Sequence, residues 1–188
     1  LDVEVIYLDA LGPTLVKRFS ETRRRHPLTN EATDLRQAIE AERELLASIA
    51  DLADLVIDTT QLATGTLADL IAARIADKAT PGLSLLFRSF GFKFGIPVDG
   101  DLVFDIRCLP NPHYVPELRR LTGRDEGVRD FLEADVDVLT MYEDIRRFLE
   151  AWLPKFEKNN RIYMTVAIGC TGGQHRSVHM AEKLGAYF

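Results

Sequence analysis

The sequence predicts an α/β protein of two domains, each built on a parallel sheet. Three observations carry that expectation. Short β-branched apolar runs alternate with amphipathic helical stretches along the chain. A polar Pro-Gly break, Asp77-Lys-Ala-Thr-Pro81-Gly82, interrupts the alternation and predicts a boundary between residues 1–80 and 81–188. Near the end, the β-favouring run Tyr163–Ile168 enters a Gly-rich turn and leaves it as an apolar-periodic helix, Val178–Phe188.

Composition bounds the function. At 188 residues, 46% hydrophobic and 28% charged, the chain is an ordinary globular protein with room for one domain or two small ones. The two cysteines, Cys108 and Cys170, are too few for a disulfide scaffold and point to a reducing, cytoplasmic setting. No apolar run approaches the roughly 20 residues that a membrane helix needs, and no signal peptide is visible. A net charge of −6 argues against a whole-surface nucleic-acid footprint. Residues 1–80 carry 9 basic and 14 acidic side chains (−5), whereas residues 81–188 carry 14 and 15 (−1). An anion-binding patch is therefore expected in the second part. The chain starts at Leu1 inside a strand-like pattern and stops at Phe188 in mid-helix, so it is expected to be part of a longer protein.

In the first part, Val3–Leu8 reads as a buried parallel strand. Asp9 ends it, where α/β proteins place ligand-contacting groups; capping the next helix is the alternative. Thr14–Arg25 predicts a helix whose Arg-rich end, with Arg24, could grip phosphates or be a solvated face. Asp34–Asp51 is strongly amphipathic, with Leu35, Ala38, Ile39, Leu45, Leu46 and Ile49 on the apolar stripe. Leu52–Ile57 predicts a second strand, ending in Asp58-Thr59-Thr60, and a helix follows over Thr66–Ile75 with Thr64 or Thr66 as N-cap. Strand, helix, helix, strand, helix suits half of a doubly wound sheet. No G-x-x-x-x-G-K-[ST] pattern occurs, so a phosphate loop is expected upstream of Leu1.

In the second part, Leu83–Phe87 predicts a strand and Ser89–Pro97 a loop in which aromatics alternate with Gly and Lys. Such a loop either stacks bases or tucks its phenylalanines onto the core, which leaves Lys93 as the group of interest. Asp101–Cys108 predicts another strand, with Asp105 and Arg107 on one face as an ion pair. Two prolines exclude regular structure from Leu109–Tyr114, which puts His113 in a loop at a strand's carboxyl end. Gly127–Ala134 and Val138–Trp152 predict helices, the second lined by Tyr142, Ile145, Phe148, Leu149 and Trp152 and disturbed by Pro154. Asn159-Asn160 predicts the turn into the last strand.

The turn itself, Cys170-Thr-Gly-Gly-Gln-His-Arg176-Ser177, fits C-x5-R-[ST] and resembles the phosphate loop of protein tyrosine phosphatases. Amides at a helix N-terminus favour an oxyanion, Arg offers a bidentate fork, and the same dipole lowers a thiol's pKa. Gly169 replaces the usual preceding His, and no Trp-Pro-Asp acid loop occurs; Trp152-Leu-Pro154 is only superficially similar. A phosphate cradle, a cysteine-dependent phosphatase using Cys170 and Arg176, and a glycine turn needed only for packing all remain open on the motif alone.

Separated stretches resemble the RapZ/YvcJ-type RNase adapter and P-loop nucleotide-binding family. They are Tyr7–Ala10, Arg23–Leu28, Ala53–Thr59, Ser89–Pro97, Phe104–Arg107, Leu109–His113 and Val166–Ser177, in matching order over nearly the whole chain. The resemblance implies that residues 1–80 are the later half of a P-loop kinase-like nucleotide-binding domain, with Asp9, Arg24 and Asp58 at the nucleotide. The full-length protein would bind ATP or GTP with Mg2+ and hydrolyse it weakly. Residues 81–188 would be a small α/β domain that binds a phosphosugar of the glucosamine-6-phosphate type and small RNA. Its ligand residues would be Cys170, Thr171, Gly172, Gly173, His175, Arg176, Ser177, His113 and Asp105. The RNA would meet Lys93, His113, Thr171, Gly172, His175 and Arg176. An RNase partner and self-association are further implications; no catalytic residue and no metal ligand is expected within these residues. The basic tail that ends family members does not occur here.

Overall fold

The computed structural model describes residues 3–22, 25–76 and 82–188. The chain divides into two compact units, Leu1–Pro81 and Gly82–Phe188.

The first unit is a two-stranded parallel sheet with helices. Strand β1 (Ile6–Asp9) pairs with β2 (Leu55–Asp58) in a register that sets Asp9 beside Asp58. Between them lie α1 (Gly12–Thr22) and α2 (Leu35–Asp51), and α3 (Thr64–Ile71) follows β2. Both strands are shorter than expected. Leu52 is still the C-cap of α2, and the Asp54 carboxylate accepts the Val5 amide at 2.8 Å, which fixes where pairing begins. A reciprocal capping box starts α2: Asp34 accepts the Gln37 amide at 2.9 Å, and Gln37 accepts the Asp34 amide at 3.1 Å. The apolar stripe of α2 buries Ala38 and Ile39, whereas Leu45 and Ile49 are exposed. The N-cap of α3 is Ala63, without a side-chain bond, rather than Thr64 or Thr66; past Ile71 the helix widens into a π turn, Ala72–Ala76.

The second unit carries a three-stranded parallel sheet in the order β3-β5-β4. Its strands are β3 (Ser84–Gly91), β4 (Leu102–Asp105) and β5 (Tyr163–Cys170). Every residue of the central strand β5 is buried, as expected of a parallel strand covered on both faces. Met164, Val166 and Ile168 pack with Leu85, Phe87 and Phe104 against α4 (Glu126–Glu133), α5 (Val136–Lys158) and α6 (Arg176–Tyr187). The 92–101 connection is tied back to the sheet. Buried Asp99 holds Arg88 at 2.7 Å, and Asp101 accepts the Thr165 amide at 2.7 Å.

Several boundaries differ from expectation for local reasons. β3 runs on to Gly91 and takes Ser89-Phe90 out of the expected loop; Phe90 is buried while Phe94 is exposed. β4 stops at Asp105 rather than Cys108, because the Asp105 carboxylate turns the chain by accepting the Arg107 amide at 3.0 Å. Pro112–Tyr114 is a short 3-10 turn with the proline at its start, where the missing amide costs nothing. Helix α5 continues through Pro154 to Lys158; only one turn follows the proline, and the Asn159 amide closes it onto Lys155 and Phe156 carbonyls. Its buried line is Val138, Ile145, Leu149 and Leu153, while Phe148 and Trp152 are partly exposed. Asn160, with φ 62°, makes the turn into β5.

Candidate functional site: the turn between β5 and α6

The parallel order places the carboxyl ends of β3, β5 and β4 side by side, with Gly169 between Phe90 and Asp105. This is where open α/β sheets put ligands. The turn 171–175 that leaves β5 lies hard against the end of β3. Gly173 adopts φ 71°, and a Cβ there would sit 2.7 Å from the Gly91 amide nitrogen. A Cβ on Gly91 would in turn sit 2.6 Å from the Gly172 carbonyl carbon, so both positions require glycine.

The inner side of the turn holds the Cys170 sulfur. The Gly173 amide donates to Sγ at 3.2 Å, and the Ser177 hydroxyl lies 3.1 Å from it. Burial pushes the thiol pKa up, but the hydroxyl and amide of Ser177, the Gly173 amide and the Arg176 charge outweigh it and leave the value lowered. Cys170 is 3% exposed and Ser177 is fully buried. Arg176 is buried too. Its Nη1 donates to the carbonyls of Arg107 (2.7 Å) and Leu109 (2.9 Å), its Nη2 donates to Thr171 Oγ1 (3.2 Å), and its Nε has no partner. These bonds tie the start of α6 to the chain leaving β4.

The outer side is different in kind. Thr171, Lys93, Asp105, Arg107 and His113 are exposed, and Gly172 is half-exposed between them. The Lys93 amide donates to the Thr171 carbonyl at 3.3 Å, and its Nζ reaches over Gly172, 3.8 Å from where a Cβ would be. Arg107 lies 4.0 Å over the Phe92 ring and grips Asp105 through Nε and Nη2, which holds the carboxyl below its ordinary pKa. The rings of His113 and His175 stand 6.4 Å apart. His175 itself is buried, with Nε2 3.1 Å from the Leu118 carbonyl, and burial lowers its pKa.

The structure therefore brings Lys93 to Thr171 and Gly172 on the exposed side of the turn, leaves Asp105, Arg107 and His113 exposed at the end of β4 and on the chain that follows it, and buries Cys170, His175, Arg176 and Ser177. Sequence reasoning missed the wider role of Arg107 at this face, although its alternation with Asp105 was visible. It also missed Gln174, whose amide reaches the Leu121 carbonyl at 2.7 Å. A cavity of about 1060 Å3 between β3 and α6 shares Gly173 and Gln174 with the turn but touches none of Lys93, Asp105, Arg107, Thr171 and His113.

In the first unit Asp9 and Asp58 stand at adjacent strand ends. Asp9 accepts from the Ala10 amide (2.7 Å) and Arg43 (2.8 Å), and Asp58 accepts the Thr60 amide at 2.8 Å. Arg18 donates to Thr59 at 2.9 Å. Arg18 and Arg43 were not singled out from the sequence, since each looks like an ordinary solvated helix residue. Arg24 lies outside the described residues. Among the described residues no group of three or more His, Cys, Asp or Glu side chains could hold a metal ion, and no helix is long and apolar enough to cross a membrane.

Residues 83–188 match the RapZ C-terminal domain family, and residues 1–79 match the RapZ-like N-terminal domain family. A nucleotide-binding protein of Aromatoleum aromaticum is 57% identical over 187 residues, 100% of this chain and 64% of its own length. Nucleotide-binding proteins of Stutzerimonas stutzeri and Azotobacter vinelandii are each 56% identical, over 98% and 97% of this chain and 65% and 64% of their own lengths. This chain thus spans about two-thirds of the length of the curated relatives it matches. The chain belongs to the RapZ-like family, and it carries parts of both the N-terminal and the C-terminal domain types.

Proposed function

We propose that this chain is part of a cytoplasmic, self-associating nucleotide-binding regulator of the RNase-adapter type, whose second unit binds a phosphosugar and RNA phosphates. The names of its relatives support nucleotide binding. Asp9 and Asp58 are what the first unit offers a magnesium-bound ATP or GTP, an ion held largely by phosphate oxygens and water. The observation that carries the second half is exposed Lys93 lying over Gly172 and bonded to the Thr171 carbonyl on the glycine turn that opens α6, with exposed His113 6.4 Å, ring to ring, from His175 of the same turn. Lys93 and the turn meet the phosphate, the exposed Asp105 carboxylate accepts from an amino sugar, and His113 is a further donor. Arg176 and His175 act from beneath, by holding the turn.

The phosphatase reading is the weaker one, because a nucleophile must meet phosphorus and Cys170 is 3% exposed with Sγ already bonded on two sides. Calorimetric titration with glucosamine-6-phosphate tests the proposal. Binding that Lys93→Ala and Thr171→Val weaken is expected; no binding at millimolar ligand, with the turn ordered, refutes it. An RNA mode at the same face would show affinity that falls steeply with salt.

A further inference from the structure

The chain between β4 and α4 has no sheet or α-helix of its own from Arg107 to Asp125, yet it carries exposed His113 to 6.4 Å, ring to ring, from His175 in the turn. Beyond the grip of Arg176 on the Arg107 and Leu109 carbonyls, bonds to two residues of the turn hold its 118–123 stretch. Gln174 donates its side-chain amide to the carbonyls of Leu121 (2.7 Å) and Arg119 (3.3 Å), and its own carbonyl accepts the Gly123 amide at 3.0 Å. His175 Nε2 lies 3.1 Å from the Leu118 carbonyl. Gly123 makes the approach possible: a Cβ there would be 2.3 Å from both the His175 carbonyl oxygen and the His179 nitrogen. From the far side, Arg119 donates Nε to the His113 carbonyl at 3.0 Å, and Asn111 caps the His113 amide at 3.3 Å.

These contacts form one line, from the turn through Gln174 to the Arg119 and Leu121 carbonyls, and from Arg119 to His113. We propose that Gln174 and Arg119 are positioning residues: they latch the 110–123 strap to the turn and so set His113 over the anion face. The inference rests on the phosphosugar reading of that face. Gln174 is suited to the task because its amide donors can meet two carbonyls, whereas a carboxylate at 174 would face the same carbonyls with acceptors only. The side chain is exposed, so losing it leaves no buried group unpaired and the fold should survive.

A double-mutant cycle read by calorimetry with glucosamine-6-phosphate tests the latch. Gln174→Ala and Arg119→Ala should each weaken binding roughly three- to tenfold, the scale of one well-placed hydrogen bond, with melting temperature nearly unchanged. In a His113→Ala background neither should weaken it further, because the group they position is gone. Equal losses in both backgrounds, or no loss in the first, would overturn the latch while leaving the face intact. If His113→Ala binds like the wild type, His113 is not in the site and the latch falls with it. If the wild type binds neither glucosamine-6-phosphate nor inorganic phosphate, the reading of the face itself has failed. A large drop in melting temperature for both alanine variants would make the strap a structural element only, and would also overturn the proposal.

Discussion

Replacing Arg176 with methionine separates a strut from a clamp. The side chain is buried, and its three bonds end on two backbone carbonyls and the Thr171 hydroxyl rather than on open space. Methionine fills much of the same volume but leaves the carbonyls of Arg107 and Leu109 without a donor. An unsatisfied buried acceptor costs about 1–3 kcal/mol, so two cost about 2–6 kcal/mol. Removing a guanidinium whose Nε already lacks a partner returns about 1–3 kcal/mol of that. The central values, about 4 lost and about 2 returned, leave an expected net loss of about 2 kcal/mol. For a unit of this size that lowers the melting temperature by roughly 8–16 °C, at about 4–8 °C per kcal/mol. Urea unfolding followed through Trp152, the one tryptophan of the chain and a residue of α5, reports the second unit. A loss below about 0.5 kcal/mol, together with abolished phosphosugar binding, would refute the strut and make Arg176 the ligand clamp.

Three further outcomes follow from the same geometry. Gly123→Ala should cost more than about 2 kcal/mol in urea unfolding, because both atoms it would strike are backbone; Gly172→Ala, which meets only the far end of Lys93 at 3.8 Å, should stay within about 0.5 kcal/mol. Because the folded thiol of Cys170 titrates below its unfolded value of about 8.5, its contribution is full above that pH and lost as pH falls through the folded pKa. Stability should therefore rise with pH toward about 8.5, and the slope should flatten in Cys170→Ser. His175 and His179 are both pushed down by burial, so the fold favours the neutral rings. Stability should drop as pH falls below about 6.5, less steeply in His179→Gln; an unchanged slope in that variant would contradict the burial argument.

The element order of both units could be read from the sequence because strand and helix periods differ, and the Gly-rich turn marks the start of the last helix. Boundaries went astray where a side chain overrides the pattern. The Asp105 turn ended β4 early, and α5 absorbed Pro154 because little helix remained beyond it. The residues of the Gly-rich turn were legible in the sequence, but the side of the turn that each one faces was not. C-x5-R spacing makes Cys170 and Arg176 look like the chemistry, yet spacing says nothing about which side of a turn faces solvent. The carbonyls that occupy Arg176 come from residues 107 and 109, far away in the chain. Gln174 and Arg119 were invisible for the same reason, since their partners are main-chain atoms of a segment without periodicity.

The central claim is that the outer side of the turn, not the buried Cys170 side, receives a phosphorylated ligand. Amide chemical shifts recorded while glucosamine-6-phosphate is added test it most directly. Saturable shifts are expected at Lys93, Thr171, Gly172 and His113, with the same response in Cys170→Ser. Shifts confined to other residues, or loss of the response in Cys170→Ser while that variant remains folded, would contradict it.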